Sequence, residues 1–239
     1  MIVSVHVTKT SGTSFGAALK GEFGERFLHN DKDWSGYRSP DADARRTANA
    51  TRMRSRRDEL LNKYDVIHGH FVPEKFAGLF PRTDFVAFFR DPFQQAISHY
   101  EFLRRIPHVD HPAVREFHKV NMSIEDFIAW EALKNPQTQL MGEFAIEDLD
   151  VVGITEEFSR SVALFNAMFG CRLATDVCLN VNPTRSRSGY AIGAELQKLI
   201  EIHRAEDIDL YKRAQALFAR QTSCRSIFMV AGSPVERQK

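Results

Sequence analysis

The sequence predicts an α/β protein with a mainly parallel central sheet flanked by helices, because short apolar strands alternate with helical patterns along it. The clearest strand is Asp84–Phe89, which is almost continuously apolar, as a parallel strand buried on both faces should be. The chain has 239 residues, of which 43% are hydrophobic, enough for one sizeable core. We therefore predict a single domain over residues 1–239, with a tail from about residue 222 whose residues 227–230 suit a last strand.

The chain opens with a strand, a polar loop and a helix. Residues 2–7 suit a strand, and apolar residues recur at every fourth position from Phe15 to Phe23, as on one helix face. Small hydroxylated residues around one lysine and one glycine lie between them: Thr8, Lys9, Thr10, Ser11, Gly12, Thr13 and Ser14. Such a loop offers N–H groups, hydroxyls and a helix N-terminus to an anion. It lacks the Gly-Lys-Ser/Thr order of a Walker A motif, and an ordinary turn with a Ser or Thr cap is the alternative.

The later elements come in order along the chain. Residues 65–71 and 150–154 suit two further strands of the parallel sheet. Helices are expected where a cap, a proline or an apolar stripe marks them: after Ser39-Pro40, between Pro73 and Pro81, from Pro92, from Ser123 to about Leu133, and over residues 156–169, 194–202 and 206–218. Residues 108–118 are predicted to be a connection rich in histidine and proline.

A second candidate anion site stands at the end of the strand Asp84–Phe89. Arg90 follows that strand directly, and ligands of open α/β sheets bind beyond the carboxyl ends of the strands. Its guanidinium can grip a phosphate with two hydrogen bonds, and Ser98, two turns into the next helix, can add a hydroxyl. The alternative is an arginine paired with Asp91 or with a carboxylate elsewhere.

Two histidines, His68 and His70, lie at the end of a predicted strand at a spacing of two. On extended backbone they share a face. A metal site would need a third ligand at a recognisable spacing, and because none follows we predict no metal. Two core histidines satisfied by hydrogen bonds are the alternative to a functional pair.

These motifs resemble those of PAPS-dependent sulfotransferases, PAPS being 3′-phosphoadenosine 5′-phosphosulfate. Residues 6–14, HVTKTSGTS, resemble the family's 5′-phosphosulfate loop, His-x-Pro-Lys-Thr-Gly/Ala-Gly/Ser-Thr-Ser, with Thr8 in place of the proline. The Arg-Asp-Pro from Arg90, with a serine eight residues after the arginine, resembles the family's 3′-phosphate element. Residues 68–71, HGHF, are closest to the heparan/dermatan 2-O-sulfotransferase-like group, in which the histidine matching His70 is the base.

The resemblance implies a single-domain, P-loop-like sulfotransferase fold, with PAPS as co-substrate and transfer to an acceptor hydroxyl. It implies that His70 is the base and that His68 supports it. It also implies that Lys9 neutralises the negative charge that grows on the leaving phosphate. The implied nucleotide-binding residues are Lys9, Thr10, Ser11, Gly12, Thr13, Ser14, Arg90, Ser98 and, in a weaker match to a closing loop, Arg185. A saccharide is the expected acceptor. Residues 206–211 resemble an "Asp-x-x-Leu-Tyr" helix of the same group, which we interpret as packing.

Two other functions compete with this interpretation. A nucleotide or small-molecule kinase with a divergent loop would need ATP and magnesium, and a non-catalytic binding module would hold nucleotide without turnover. The loop order and the element from Arg90 to Ser98 favour the sulfotransferase.

Six arginines cluster in one short segment: Arg45, Arg46, Arg52, Arg54, Arg56 and Arg57. A solvated helix face is the favoured interpretation, and a basic wall for an acidic acceptor is the alternative. The sequence does not decide between them.

Composition excludes several classes of function. A net charge of +1 gives no reason to expect nucleic acid, and no stretch reaches the roughly 18 apolar residues of a membrane span. The three cysteines lack CxxC spacing, which predicts reduced thiols. Because the first strand starts at residue 2, with no signal peptide before it, we expect a cytoplasmic protein. The oligomeric state is not determined by the sequence.

Overall fold

The computed structural model describes residues 1–30, 33, 42–106, 112–176, 179 and 189–230. Its sheet has five strands: β1 Ile2–Val5, β2 Phe27–His29, β3 Val66–Gly69, β4 Asp84–Phe89 and β5 Val151–Ile154. They lie in the order β2-β3-β1-β4-β5, and every pair of neighbours is parallel. The predicted α/β architecture with a parallel central sheet is confirmed.

Helices cover the sheet and extend beyond it. They are α1 Gly12–Phe23, α2 Ala42–Ser55, α3 Arg57–Lys63, α4 Pro92–Arg105, α5 Pro112–Lys119, α6 Ile124–Ala129, α7 Pro136–Met141, α8 Phe158–Phe169, α9 Ala194–His203 and α10 Ala205–Val230. In the part of the chain that the structure describes, none combines the length and apolar character needed to cross a bilayer.

The strand order places a crevice at the carboxyl ends of β1 and β4. After β1 the chain continues through α1 to the β2–β3 side of the sheet, whereas after β4 it continues through α4 towards β5. In open α/β sheets, ligands bind where the connections diverge in this way. The register sets Val5 opposite both Gly69 and Ala87, so the three central strands end close together. The loops that leave these strands therefore meet at one edge of the sheet.

Two clusters of buried apolar side chains hold these elements in place. The larger lies between the sheet and its flanking helices and includes the fully buried Val86, Phe89 and Phe165. The smaller joins α4, α5, α6 and α9 around Phe127 and Ile200. Because α4 contributes to the smaller cluster, the helix after Arg90 is fixed at the crevice.

Several sequence predictions differ from the structure. The predicted strand at 227–230 is wrong: α10 continues to Val230, because no glycine or proline interrupts residues 205–230. The helix expected between Pro73 and Pro81 is only a single 3₁₀ turn, Pro73–Lys75. Strand β2 was not predicted, since three residues are too few for an alternating pattern. Helix α5 lies in the predicted connection, and the expected cap at Ser39-Pro40 falls outside the described residues.

The contact between β4 and β5 yields a test of packing. A Cβ added at Gly153 would lie 2.6 Å from the ring of Phe88 on the neighbouring strand. We expect Gly153→Ala to lower the free energy of unfolding by about 1–3 kcal/mol, because overfilling a packed core forces side chains and backbone apart. Urea denaturation measures the change.

Gly21→Ala is the matched control for this substitution. It adds the same atoms in α1, where a Cβ would meet nothing within 4 Å. We expect it to be neutral or to stabilise by up to about 1 kcal/mol, because alanine restricts the unfolded chain. Equal effects of the two substitutions would contradict the packing described for Gly153.

Candidate active site at the carboxyl edge of the sheet

The loop between β1 and α1 is bent into a shape suited to an anion. Lys9 and Ser11 have φ of 63° and 67°, a left-handed conformation uncommon in residues other than glycine. Such turns can direct neighbouring N–H groups into one concave site. Ser11 is the N-cap residue of α1, but its side chain makes no capping hydrogen bond. The ordinary capped turn considered as an alternative is therefore not what forms.

Three side-chain hydrogen bonds to backbone carbonyls fix the conformation of the loop. The buried hydroxyl of Thr10 donates to the carbonyl of Val7 at 2.8 Å, and Gln95 Nε2 donates to the carbonyl of Thr8 at 3.0 Å. Arg90 Nη1 donates to the carbonyl of Lys9 at 3.1 Å. Because N–H and C=O point in opposite directions in a trans peptide, the N–H of Lys9 faces away from Gln95. The hydroxyl of Thr10 is used within the loop, and its place among nucleotide-binding residues stays a prediction.

Lys9 and Arg90 bring two positive charges together at the crevice. Lys9 Nζ lies 4.1 Å from the centre of the Phe102 ring. Burial, followed by the charges of Arg90 and Arg105, lowers the pKa of Lys9 to about 8. Holding these two cations together costs free energy because they repel each other. An anion bound between them would offset that repulsion.

Arg90 is itself buried, with 5% of its surface exposed. Its N–H donates to Gln137 Oε1 at 3.0 Å and its carbonyl accepts from Gln137 Nε2 at 2.9 Å. Its Nε lies 3.9 Å from Glu156 Oε1, an ion pair longer than a hydrogen bond. The carboxylate beside Arg90 is thus Glu156, whereas Asp91 caps α4 by accepting from the N–H of Gln94.

The other predicted residues of the nucleotide site lie along α1 and α4. Ser98 is buried on α4, two turns beyond Arg90. Thr13 is exposed on the first turn of α1, and Ser14 Oγ accepts from the N–H of Leu179 at 2.9 Å. Arg185 falls outside the described residues.

His68 is a structural histidine in the core, with 2% of its surface exposed. Its Nε2 lies 3.1 Å from the carbonyl of Gly12 and its Nδ1 lies 2.9 Å from Ser4 Oγ. Because a carbonyl only accepts, Nε2 carries the hydrogen and Nδ1 accepts from the serine. His68 therefore ties the first turn of α1 to β1 and β3.

His70 stacks on His6, a residue to which the sequence analysis gave no role. Their ring centres are 3.9 Å apart with an angle of 20° between the planes, and the ring of His68 lies 5.0 Å from that of His6. Burial and, next, the neighbouring His70 lower the pKa of His6 well below its usual value. Within the stack, His6 therefore favours the neutral form.

Two glycines of α1 make room for these rings. A Cβ at Gly12 would lie 1.8 Å from the His6 ring, and a Cβ at Gly16 would lie 2.7 Å from His68 Nε2. One turn apart, they form a smooth helix face against the imidazoles. Small residues at these positions are therefore required by close approach.

The histidines open into a cavity of about 520 Å³ on the β3 side of the loop. Its wall is made by imidazole and phenyl rings on one side and by α1 on the other: His6, Gly12, Thr13, Gly16, Ala17, Lys20, Phe27, His29, His68 and His70. Arg90 and Ser98 lie on the β4 side. The loop thus separates a cationic crevice from a histidine-lined cavity.

No arginine of the 45–57 segment lines that cavity, as far as the described residues show. Three of them instead form local ion pairs, Arg46 with Asp43, Arg56 with Glu59 and Arg57 with Asp58. Arg52 and Arg54 are exposed whereas the other four are half-buried, so the solvated helix face stays a prediction. Within the described ranges no group of three or more histidine, cysteine or acidic side chains is arranged to hold a metal ion.

Sequence reasoning missed three side chains that build the site: His6, Gln137 and Glu156. His6 lies in the quoted loop motif, so its position was available although its stacking was not. Gln137 and Glu156 carry no spacing or periodicity that ties them to Arg90, 47 residues away for Gln137.

The lowered pKa of His6 predicts how stability depends on pH. The unfolded chain takes up a proton near the ordinary histidine pKa of about 6.5 while the folded protein resists it, so stability falls as pH drops below that value. His6→Phe keeps an aromatic ring in the stack and removes this term. Between pH 7.5 and pH 5 we expect the free energy of unfolding to fall less in His6→Phe than in the wild type, with a difference of up to about 2 kcal/mol. Equal losses in both proteins, measured by urea denaturation, would contradict the assignment.

Comparison with known proteins finds distant structural similarity. No protein-family model matches the chain, and no curated protein matches it. A sulfotransferase from Alicyclobacillus acidocaldarius aligns with a TM-score of 0.48 and 16% identity over 91% of this chain and 95% of its own. A mouse sulfotransferase, SULT7A1 complexed with PAP, aligns with a TM-score of 0.34 and 12% identity over 87% of this chain and 65% of its own. Because both TM-scores are below 0.5, neither likeness carries weight for the site.

Proposed function

We propose that this protein is a PAPS-dependent sulfotransferase that transfers a sulfuryl group to an acceptor hydroxyl, with a carbohydrate as the proposed acceptor class and the cytoplasm as the proposed location. The observation that carries the proposal is the hydrogen bond from Arg90 to the carbonyl of Lys9. It joins the two anion-binding elements, 81 residues apart in the sequence, into one crevice.

The crevice suits a donor that is anionic at two places. The loop and the N-terminus of α1 offer N–H groups and Lys9 to a 5′-phosphosulfate. Arg90 and Ser98, on the other strand end and its helix, are the residues proposed to bind a 3′-phosphate. A nucleotide without a 3′-phosphate would leave this second element unused. The pairing therefore supports PAPS over ATP.

The cavity on the β3 side suits the acceptor. His70 is half-buried, lines this cavity and directly follows β3. Both ring nitrogens of His68, which also lines the cavity, are engaged in hydrogen bonds. His68 thus has no ring nitrogen available as a base, and its proposed part is to support the fold around His70. Histidine is the usual general base near neutral pH, and His70 is therefore the proposed proton acceptor.

In the proposed transfer, the bond that forms is matched by a bond that breaks, and the proton released has an acceptor. The donor supplies the sulfuryl group, and the bond from the acceptor oxygen to sulfur forms as the bond from sulfur to the bridging oxygen breaks. His70 accepts the acceptor's proton. The electron pair of the broken bond remains on the leaving phosphate, where Lys9 and the loop N–H groups stabilise the added charge. By analogy with phosphoryl transfer, positioning and charge stabilisation supply most of the rate.

The experiment that tests this function compares four nucleotides. PAPS and adenosine 3′,5′-bisphosphate should raise the melting temperature more than ATP or AMP, because a ligand that binds more tightly stabilises the folded state more. Transfer of radiolabelled sulfate to a panel of hydroxyl acceptors then tests turnover. Preference for ATP with magnesium-dependent transfer would indicate the kinase, and binding without transfer to any hydroxyl would indicate the binding module.

Lys9→Ala is expected to lower kcat for sulfuryl transfer by about 10²-fold or more, because its charge is needed most as the leaving group gains charge. The pKa of Lys9, lowered to about 8, adds a pH effect. The ammonium is lost as pH rises through that value, so affinity for adenosine 3′,5′-bisphosphate should fall above about pH 8. Steady-state kinetics and calorimetric titration measure the two effects.

Lys198→Ala is the control for this substitution. Lys198 lies on α9, is largely exposed and pairs with Glu195 on the same helix. Its loss should leave kcat and the pH profile unchanged. A kcat within about threefold of wild type in Lys9→Ala would remove Lys9 from the proposed chemistry.

His70→Ala separates chemistry from binding. It should keep near-normal affinity for adenosine 3′,5′-bisphosphate, because the base touches the acceptor, and lose about 10²–10⁴ in transfer rate. His68→Ala should instead lower the melting temperature, since it removes the hydrogen bonds to Ser4 and Gly12. Circular dichroism, nucleotide titration and transfer assays are run on both variants.

Retained transfer in His70→Ala would exclude it as the base. His6, which stacks on it, would be the first replacement to test, ahead of His99 on α4. His108 and His111 fall outside the described residues.

A further inference from the structure

Helix α10 contacts two of the residues that hold Arg90, Gln137 through its backbone and Glu156 through its side chain. Its residues Asp207 and Tyr211 are four apart and so lie on one face of the helix. The sequence interpretation took this segment as packing. In the structure its polar atoms contact Gln137 and Glu156, two of the residues that contact Arg90.

The first connection fixes the backbone of Arg90. Gln137 has no exposed surface and pairs with both the N–H and the carbonyl of Arg90. The N–H groups of Gln137 and Thr138 in turn donate to the fully buried carboxylate of Asp207, at 3.2 and 2.8 Å, and the Thr138 hydroxyl donates to it at 2.8 Å. α10 thereby fixes α7, and α7 fixes the position of Arg90.

The second connection acts on the guanidinium. Glu156 Oε1 accepts from the N–H of Asp91 at 3.2 Å and lies 3.9 Å from Arg90 Nε. The hydroxyl of Tyr211 donates to Glu156 Oε2 at 3.0 Å. Glu156 is therefore held by Asp91 and Tyr211 at a distance that attracts Arg90 without a full hydrogen bond. Burial and the charge of Glu156 raise the pKa of Tyr211, so its hydroxyl remains a donor.

We propose that Tyr211 and Glu156 are positioning residues that set how tightly Arg90 grips the 3′-phosphate of the nucleotide, while Asp207 and Gln137 fix the backbone of Arg90. This rests on the proposed function, because it assigns Arg90 to that phosphate. Glu156 competes with the phosphate for the guanidinium, and Tyr211 restrains that competition by holding one carboxylate oxygen.

Tyr211→Phe removes only the hydroxyl. Without it Glu156 can turn both oxygens to Arg90 in a paired, two-bond contact. We expect the Kd for adenosine 3′,5′-bisphosphate to rise about tenfold while the Kd for AMP stays within twofold, as measured by calorimetric titration. Tyr64→Phe, which removes a hydroxyl at the end of α3, is the control and should change neither Kd.

Glu156→Gln supplies a readout that a structural role would not produce. The amide oxygen can still accept from the N–H of Asp91 while its NH2 group donates to the hydroxyl oxygen of Tyr211, and the side chain no longer carries the charge that competes for Arg90. We expect it to tighten binding of adenosine 3′,5′-bisphosphate severalfold, with AMP unchanged, and to restore most of the affinity in the double variant with Tyr211→Phe. If Tyr211→Phe does not fold, Glu156→Gln alone decides, and unchanged or weaker bisphosphate binding overturns the inference.

The two proposals fail in different ways. If wild-type protein does not prefer adenosine 3′,5′-bisphosphate to AMP, the proposed function and this inference both fall. If wild type has that preference, Arg90→Ala abolishes it, and both Tyr211→Phe and Glu156→Gln leave it as it was, only the positioning roles are overturned.

Discussion

The buried guanidinium of Arg90, hydrogen-bonded to the carbonyl of Lys9, is the contact on which the site depends. It can form only because β1 and β4 are neighbours in the sheet and end at the same edge. Burying a charged group is costly unless it is paired and hydrogen-bonded. The protein meets that cost with the carbonyl of Lys9 and the carboxylate of Glu156, drawn from two separate parts of the chain, while Gln137 pairs with the backbone of Arg90.

The same edge separates two kinds of chemistry. On the β4 side, charged groups lie close together, and burial lowers the pKa of Lys9 towards neutrality. On the β3 side, stacked imidazoles line a cavity of about 520 Å³, and burial lowers the pKa of His6 so that it resists protonation. The loop after β1 lies between them and contributes to both, through Lys9 towards Arg90 and through Gly12 towards His6 and His68.

Support for this edge extends far from it in the sequence. Asp207 and Tyr211 belong to a helix that also packs along β5 through the main core. The same helix therefore supplies residues that stabilise the core and residues that support the candidate site. Residues that pack one face of the helix stand beside residues that hold the partners of Arg90.

The sequence by itself determined the alternation of strands and helices, the strand–loop–helix at the start of the chain and the strand-end position of Arg90. These features arise from local periodicity and from glycine and proline, which act within a few residues. The extension of α10 over residues 227–230 was missed because a short apolar stretch has no length to separate strand from helix. Both histidines line the cavity, and only the tertiary structure decided that His68 hydrogen-bonds to Ser4 and Gly12 while His70 stacks on His6, because these contacts come from distant segments. The roles of His6, Gln137, Glu156 and Tyr211 were likewise fixed by contacts between distant segments, which no local pattern encodes.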